Sequence, residues 1–594
     1  MERLFELARE RKLDRVGATY AVVAWVLVQA ASIALPAFEA PASSLRWLIV
    51  AMVVGFPLTL TLAWFAAGRT AAPLQPLRGR DWLLFGLLGA IALLLAVQLA
   101  IGFPWARKSA QSSPPLQSAS SIAVLPFANL SGDAAKAYFS DGIADQLISE
   151  LARTPSLRVA ARSSSFAFRG KDVDVKTIAH ALNVRTILEG SVREDGNRVR
   201  IAAELVDARN GFQIWSETYD RDLTNILALQ DDIAHAITGA LAKRFWGGTA
   251  IANRTIKPHS INPDAYRLYL QGQFYFAQRT HDGVDRAIAL FARTTQLAPD
   301  YADGFAALAD AHATKALNFQ MNGDVGPALE SVKKALSLDP NNPTAIIAQA
   351  TASLLQWQWR AVAEDFKRLD RLHVNTAAAW RMRAVFFDYM GLASLAYPAE
   401  AKAVELDPLS FIDHYNLALY MNLQKRYDDA ARLAADAWAL QPGHPDLQVL
   451  KCQIALGKKD VGAAQRISTQ LTAQGGDAGA SAAACNFYID VTKNDLASAR
   501  KIADAVSATF PASGISATDI GTAYAMTGDA DSAMKWYRRA FDVHDPQLPR
   551  VPYANPDLIK LFADPRWKAL RSEPAIRDWE AARAEIGGEF QRGE

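Results

Sequence analysis

Proline ends a helix because its ring removes a backbone donor and clashes with the preceding turn, so prolines recurring at a fixed spacing mark a chain built from helical units of one length. In this 594-residue chain Pro299, Pro340, Pro408, Pro442 and Pro511 are such markers. Pro408 and Pro442 lie 34 residues apart, Pro340 and Pro408 twice 34 apart, and Pro442 and Pro511 one residue more than twice 34 apart. The step from Pro299 to Pro340 is 41 residues, which predicts an insertion of about one to two helical turns around Lys315 to Met321.

Inside the units, large and small residues alternate with turns in a fixed order. Counting back from Pro408, the order is Trp380, Ala384, Phe387, Gly391, Ala396 and Ala403. The unit ending at Pro442 has Leu417, Ala418, Ala430 and Ala437, and the last unit has Gly521, Tyr524, Gly528, Ala533, Tyr537 and Ala540. The first unit offers Gly272, Tyr275, Ala287 and Phe291. Small residues let two helices approach and large ones fill the groove beside them. Period and pattern resemble those of the tetratricopeptide (TPR) repeat, a helical hairpin that stacks into a solenoid. They predict an array of seven or eight repeats over 262–546, the units at 341–374 and 443–476 being inferred from spacing alone. Pro398 is a departure, since it falls inside a second helix. Residues 547–594, with Leu558, Leu561, Phe562 and Trp567, predict a helical cap.

Three uncharged apolar stretches, about 17–35, 48–68 and 82–103, crowd the N-terminus. Each is close to the roughly 20 residues a helix needs to cross hydrocarbon, so residues 1–106 read as a membrane domain of three transmembrane helices. Arg3, Arg9, Arg11, Lys12 and Arg15 precede the first stretch and Arg69, Arg78 and Arg80 separate the second from the third, against Arg46, Arg107 and Lys108 on the other side. Positive residues are retained on the cytoplasmic side. The expectation is a multi-pass protein of the bacterial inner membrane whose C-terminal region is periplasmic. A Ser/Pro/Gln run follows, and 107–120 reads as a flexible linker.

Residues 121–245 read as an α/β domain. IAVLPF at 122–127 is a buried strand and 140–151 a helix, followed by a strand at 157–160, a helix at 175–182, and alternating strands at 186–193, 198–207 and 212–219. Asp195-Gly196 between two of these strands suits a tight hairpin. A long amphipathic helix, 225–245, carries Ile226, Leu229, Ile233, Ile237 and Leu241 on one stripe. The runs SIAVLPFANLSGD, YFSDGIADQLISELA, RVAARSSSFAFRGKDVDVKTIAHALNV and ILEGSVREDGNRVRIAAELVDARNGFQIWSETYDR, over most of 121–240, resemble the TolB-like N-terminal (FlgO-like) domain that precedes TPR arrays in many bacterial membrane proteins. In that family the module is also joined to winged-helix, protein-kinase or adenylate-cyclase domains. The resemblance implies a binding module, and the 16 residues before the first apolar stretch leave no room for a winged helix.

Chemistry-bearing patterns are sparse. Charged residues make up 21% of the chain and the net charge is +2, which gives no electrostatic ground for a nucleic-acid partner. The phosphate-binding, zinc-protease and nucleophile-elbow motifs and CxxC are not found. His281 and His312 are isolated, and Ser163-Ser164-Ser165 lacks an activating histidine and reads as a turn or helix cap. Asp231 and Asp232 are adjacent and so face different sides of a helix. Trp357 and Trp359 read as core rather than as a ligand groove, and Cys452 and Cys485 as buried thiols rather than a bridge.

The fold class that follows is multi-domain: three N-terminal transmembrane helices, then an α/β (TolB-like) domain, then an all-α TPR solenoid. The function that follows is a membrane-anchored extracytoplasmic scaffold for protein–protein interaction. It is not expected to be an enzyme. No catalytic, cofactor-binding or metal residue is assigned and no cofactor is called for. The expected partners are a protein or peptide in the TPR groove and the lipid bilayer, but no nucleic acid. The alternative is a transmembrane sensor or signalling regulator related to winged-helix or cyclase-linked TolB-TPR proteins, without its own catalytic domain.

Overall fold

The computed structural model describes Tyr20, Val23–Trp25 and Met52, then residues 121–154, 157–245, 261–318, 322–474, 478–510 and 515–590. From residue 121 onward it consists of a mixed sheet region followed by a long all-helical repeat region.

The sheet has the strand order β3-β1-β4-β5-β6, with β1 at Ser121–Val124, β3 at Arg158–Val159, β4 at Thr186–Asp195, β5 at Arg198–Asp207 and β6 at Phe212–Asp222. A two-residue strand, β2 (Ala128–Asn129), pairs with β4 off this path. The β1 pairings with β3 and β4 are parallel, and β4, β5 and β6 form an antiparallel meander. Gly196 stands at φ 58° in the turn joining β4 to β5, a conformation that costs a residue without a Cβ little. Two helices cover the sheet, α1 (Ala137–Leu151) and α4 (Ile226–Phe245). Phe139, Ile143, Leu147 and Leu151 of α1, and Ile226, Leu229, Ile233, Ile237 and Leu241 of α4, are buried. Two shorter helices, α2 (Arg162–Phe166) and α3 (Val175–Leu182), lie between.

Eight helical pairs follow among the described residues: α5–α6 (Pro263–Phe276, His281–Leu297), α7–α8 (Ala302–Asn318, Val325–Leu338), α9–α10 (Pro343–Leu355, Trp359–Arg371), α11–α12 (Ala377–Tyr389, Ala393–Leu406), α13–α14 (Phe411–Leu423, Tyr427–Leu440), α15–α16 (Pro445–Gly457, Val461–Gln474), α17–α18 (Ala478–Thr492, Leu496–Ala508) and α19–α20 (Ala517–Met526, Ala530–Asp542). Side-chain caps start several of them: Thr280, Asn342, Thr376, Ser410 and Ser516 each accept from a backbone N–H in the first turn. The turn inside a pair is made by one left-handed residue. Trp357, Gly391, Lys425 and Lys459 have φ of 60°, 65°, 59° and 64° at steps of 34 residues, and Asn494 and Gly528 follow at 35 and 34. The helical register thus repeats through the units whose side chains have drifted. The longer spacing near the start is taken up by the 17-residue α7 and a 3-10 turn at Asn322–Asp324. Helix α12 runs through Pro398.

The expectation of three transmembrane helices, a multi-pass inner-membrane location with a periplasmic C-terminal region and a lipid partner is corrected. Among the described residues no helix is long and apolar enough to cross a membrane. The longest, α4, has 20 residues but carries Asp231, Asp232, Lys243 and Arg244, charges that hydrocarbon does not accommodate. Apart from Tyr20, Val23–Trp25 and Met52, the stretches 17–35, 48–68 and 82–103 lie outside the described residues.

The reading of Cys452 and Cys485 as free thiols is also corrected. They form a disulfide between α15 and α17, Cα atoms 5.9 Å apart. Their separation of 33 residues is one short of the repeat period, which sets them side by side on the first helices of neighbouring hairpins. Closing a loop of that length stabilises a chain by roughly 3–4 kcal/mol. Reduction by dithiothreitol should lower the denaturant midpoint of the helical region accordingly, and an unchanged midpoint under complete reduction would count against a structural bridge.

Asp365 on α10 is 4% exposed. Its Oδ1 accepts from the Gln349 amide at 2.9 Å, Oδ2 has no partner, and burial pushes the carboxyl up to about 7. A folded-state value above the unfolded one means that the native protein holds a proton the unfolded chain releases between about pH 4 and 7, so stability falls as pH rises through that window. Asp365→Asn removes the titration. Between pH 5 and pH 8 wild type should lose on the order of 2–4 kcal/mol more than the variant in urea titrations, and parallel pH profiles would refute this.

Candidate interaction site

Among the described residues the sheet region and the helical repeats share two main areas of contact. Along α5 the contact is apolar: Leu270 fills the space beside Gly142, where an added Cβ would lie 2.6 Å from it, and Tyr266, Tyr269 and Phe291 join the core beneath α1. Gln146 Nε2 and Gln230 Nε2 donate to the hydroxyls of Tyr269 and Tyr266 at 3.0 and 2.5 Å. At the rim Arg267 donates to Glu194 at 2.8 Å.

The second contact is polar and lies more than a hundred residues further along. Asp407, between α12 and α13, is 1% exposed. It accepts from the hydroxyl of Ser163, and from the backbone N–H and the hydroxyl of Ser164 at 3.1 and 2.5 Å. Ser164 Oγ in turn accepts from Leu409 N at 2.8 Å, Ala161 N donates to Leu406 O at 3.1 Å, and Leu409 packs against the buried cluster of the sheet region that holds Ala160, Ile178 and Leu182. Burial, then the neighbouring Asp413, push the Asp407 carboxyl above its ordinary range, against the two serines and Arg381. Arg381 donates to both oxygens of Asp413 and lies 3.9 Å from Asp407. Burial and then Asp413 also push the fully buried Glu400 well above the carboxylate range.

A cavity of about 260 Å³ opens where the segment after the last hairpin crosses the fourth and fifth. Its walls include Ala393, Ala396, Tyr420, Leu423 and Tyr553, and its polar edge is the Asp388–Arg550 ion pair. The Arg550 guanidinium lies 5.2 Å from the centre of the Tyr389 ring and donates to Gln547 Oε1 at 3.0 Å. Tyr553, 47% exposed, stands at the mouth against Gly391, where an added Cβ would be 3.2 Å from its ring, with Arg583 4.1 Å from the ring centre. The lining is amphipathic and carries one charge of each sign.

The residues singled out in the sequence do not converge. His281 pairs with Asp285 at 3.2 Å and His312 with Asp324 at 2.6 Å, each beside its own hairpin. Asp231 is half-buried and Asp232 exposed. Trp357 and Trp359 are buried in the core, Trp357 with its ring edge-on to Phe541 and His544 of the last hairpin. The serine run occupies the first turn of α2 without capping it, and two of the three reach Asp407. Asp407, Asp388, Arg381, Glu400 and Arg550 carry no sequence signal, because charged residues at hairpin ends look like solvated surface.

Residues 118–236, about a fifth of the chain, match the family model described as HilA/YgeH-like transcriptional regulator, second domain. The chain is 35% identical over 256 residues to a Rhizobium meliloti (strain 1021) protein named "Putative adenylate cyclase 3", a match covering 42% of this chain and 43% of that protein. It therefore spans less than half the length of that relative. Similar solved structures include a thermophilic TPR protein from Thermus thermophilus, at 20% identity over 32% of this chain and 99% of that one, TM-score 0.28. Another is a tetratricopeptide repeat protein from Parabacteroides merdae, at 13% identity over 45% and 100% of the two chains, TM-score 0.33.

Asp407→Ala should leave the two buried donors of Ser164 unsatisfied, remove the partner of the exposed Ser163 hydroxyl, and cost about 2–4 kcal/mol. Hydrogen exchange should quicken at 161–168 and 406–410 while β4 and β5 stay protected. Unchanged exchange at both segments would mean that Asp407 does not join the two regions.

Proposed function

We propose that this chain is a non-catalytic protein-binding scaffold, in which a TolB-like α/β domain is fixed against a TPR solenoid that receives a protein or peptide partner. The observation that carries the reading is the amphipathic cavity between the fourth and fifth hairpins and the segment crossing them. Apolar walls give a side chain somewhere to be buried, and the Asp388–Arg550 pair offers hydrogen bonds to a peptide backbone beside it. Stacked hairpins support such a surface because each is held by its neighbours over the whole array.

A second reading is favoured by the relatives. One is named for adenylate cyclase and the matching family model for a transcriptional regulator. On that reading the α/β domain and repeats form the sensing part of a signalling regulator and pass a binding event to an output domain on another chain. The TolB-like resemblance is compatible with both, and this chain covers less than half of the relative named for cyclase.

A photoreactive residue at Gln424, which is exposed on the cavity wall, should cross-link a partner protein, whereas the same residue at the exposed Lys176 should not. Tyr420→Ala with Tyr553→Ala should cut the yield at least several-fold. Equal cross-linking from both positions would refute the site. Purified protein should not convert ATP to cyclic AMP, and turnover above background would overturn the non-catalytic reading.

A further inference from the structure

The last helix of the described residues does not sit on the last hairpin. That end of the array is closed by the segment 548–571, which holds three short helices, α21 (Val551–Ala554), α22 (Ile559–Ala563) and α23 (Pro565–Arg571). Leu548, Val551, Trp567 and Leu570 are buried there, and Trp567 packs edge-on to Tyr537 at 5.2 Å. Helix α24 (Pro574–Phe590) instead continues back to the third and fourth hairpins, some two hundred residues earlier. Ile576, Trp579, Ala582 and Ile586 are buried in the core that holds Phe366, Phe386, Phe387 and Leu392. The indole N–H of Trp579 donates to Tyr389 O at 3.3 Å, Arg583 donates to Gly391 O at 3.3 Å, and Phe590 meets Phe387 at 5.2 Å. Gly587 lets the helix approach closely, since a Cβ there would lie 3.2 Å from Leu392.

The charges match in the same register. Arg360 on α10 donates to Asp578 at 2.7 Å and to Glu585 at 2.9 Å, and Lys367, two turns on, reaches Glu589 at 2.5 Å. The apolar anchors Trp579, Ile586 and Phe590 and the acids Asp578, Glu585 and Glu589 share the spacing i, i+7, i+11, so one face is apolar and its flank acidic. This is the helix-in-groove mode of recognition, with a basic rim choosing an acidic ligand.

We propose that the groove over the third and fourth hairpins is a recognition surface for an acidic amphipathic helix of a partner protein, and that α24 occupies it in cis as a stand-in. The inference deepens the scaffold reading, on which it rests, by naming a surface and a class of partner. The rim pairs are half-exposed, Arg360 at 44% against Asp578 at 56% and Glu585 at 57%, so they select without locking. A tethered helix competes at high effective concentration, so an outside helix binds weakly until α24 is loosened.

The test uses the full chain and a fluorescent peptide with the sequence of residues 574–590. Asp578→Lys with Glu585→Lys sets two lysines against Arg360 and should quicken hydrogen exchange in 574–590 while 377–440 stays protected. Peptide anisotropy should then give a Kd at least tenfold lower for this variant than for wild type. Adding Arg360→Glu and Lys367→Glu should weaken binding at least tenfold, as should alanine at the peptide positions of Trp579 and Ile586. Should the charge reversal not loosen α24, Trp579→Ala is the second route, and if neither opens the groove the helix is a fixed part of the core and the proposal fails. Equal binding to wild type and loosened chains, or binding indifferent to the rim, also overturns it. A concentration-dependent dimer of the loosened chain in sedimentation would assign the groove to a second copy's α24 instead and overturn the partner-protein assignment. Failure of peptide binding with the Gln424 cross-links intact overturns this inference alone, whereas loss of both overturns the scaffold reading.

Discussion

A helical hairpin of about thirty residues cannot bury its own apolar faces, so every unit in an array depends on what covers the next one. The architecture follows from how the two open faces are closed. At the start, α1 presents Gly142 and Gln146 to Leu270 and Tyr269, so the first hairpin is completed by a helix of the sheet region and both share one core. At the other end 548–571 closes the eighth hairpin, with Trp567 against Tyr537. Among the described residues, Leu270 and Tyr269 at the first end and Trp567 and Leu570 at the other are buried by these contacts.

Asp407 adds a constraint that apolar closure does not. A carboxylate with three donors from Ser163 and Ser164 fixes direction as well as proximity, and it ties α2 to the junction between the fourth and fifth hairpins. With α1 holding the first hairpin and α2 holding this junction, the sheet region bridges the hairpins between. Arg381 is central because Asp407, Asp413 and Glu400 all lie in its field, and Arg279 also acts on Asp413. Burial, followed by the charge of Asp413, pushes the Glu400 carboxyl upward, against the pull of Arg381.

The helical period and the strand sequence are readable because both are carried by apolar spacing, which burial imposes on every unit. Helix α3 and strand β5 fall at 175–182 and 198–207, as alternation and helical spacing predict. The weak units are obscure for local reasons: Trp357 and Lys459 hold left-handed turns where a glycine would have announced them, and Leu369 and Leu471 stand where the readable units have the small Ala403 and Ala437. The bridge between Cys452 and Cys485 escapes a reading of composition because two cysteines in alanine-rich helices look like packing, and only the repeat geometry sets residues 33 apart side by side. The N-terminal apolar stretches predict membrane helices on hydropathy, while the helices among the described residues are charged or short. The polar sites are the least legible part. Asp388 and Arg550 are 162 residues apart, and no local pattern signals an ion pair made by a chain returning on itself.

That return also changes what the solenoid can offer. An open array presents its whole inner length to a ligand, whereas here Trp357 meets His544, Asp388 meets Arg550 and Trp579 meets Tyr389. The third to fifth hairpins are thus spanned by residues that follow the eighth. A partner entering this region must either use the cavity left beside Tyr553 or displace residues that already satisfy the hairpins. The two routes differ physically: the first requires a side chain small enough for about 260 Å³, and the second requires a helix whose apolar and acidic residues reproduce the spacing of Trp579, Ile586 and Glu585. Because the cavity lining belongs partly to 550–554, movement of the C-terminal segment would alter the cavity as well. The two surfaces are therefore coupled through one stretch of backbone rather than independent.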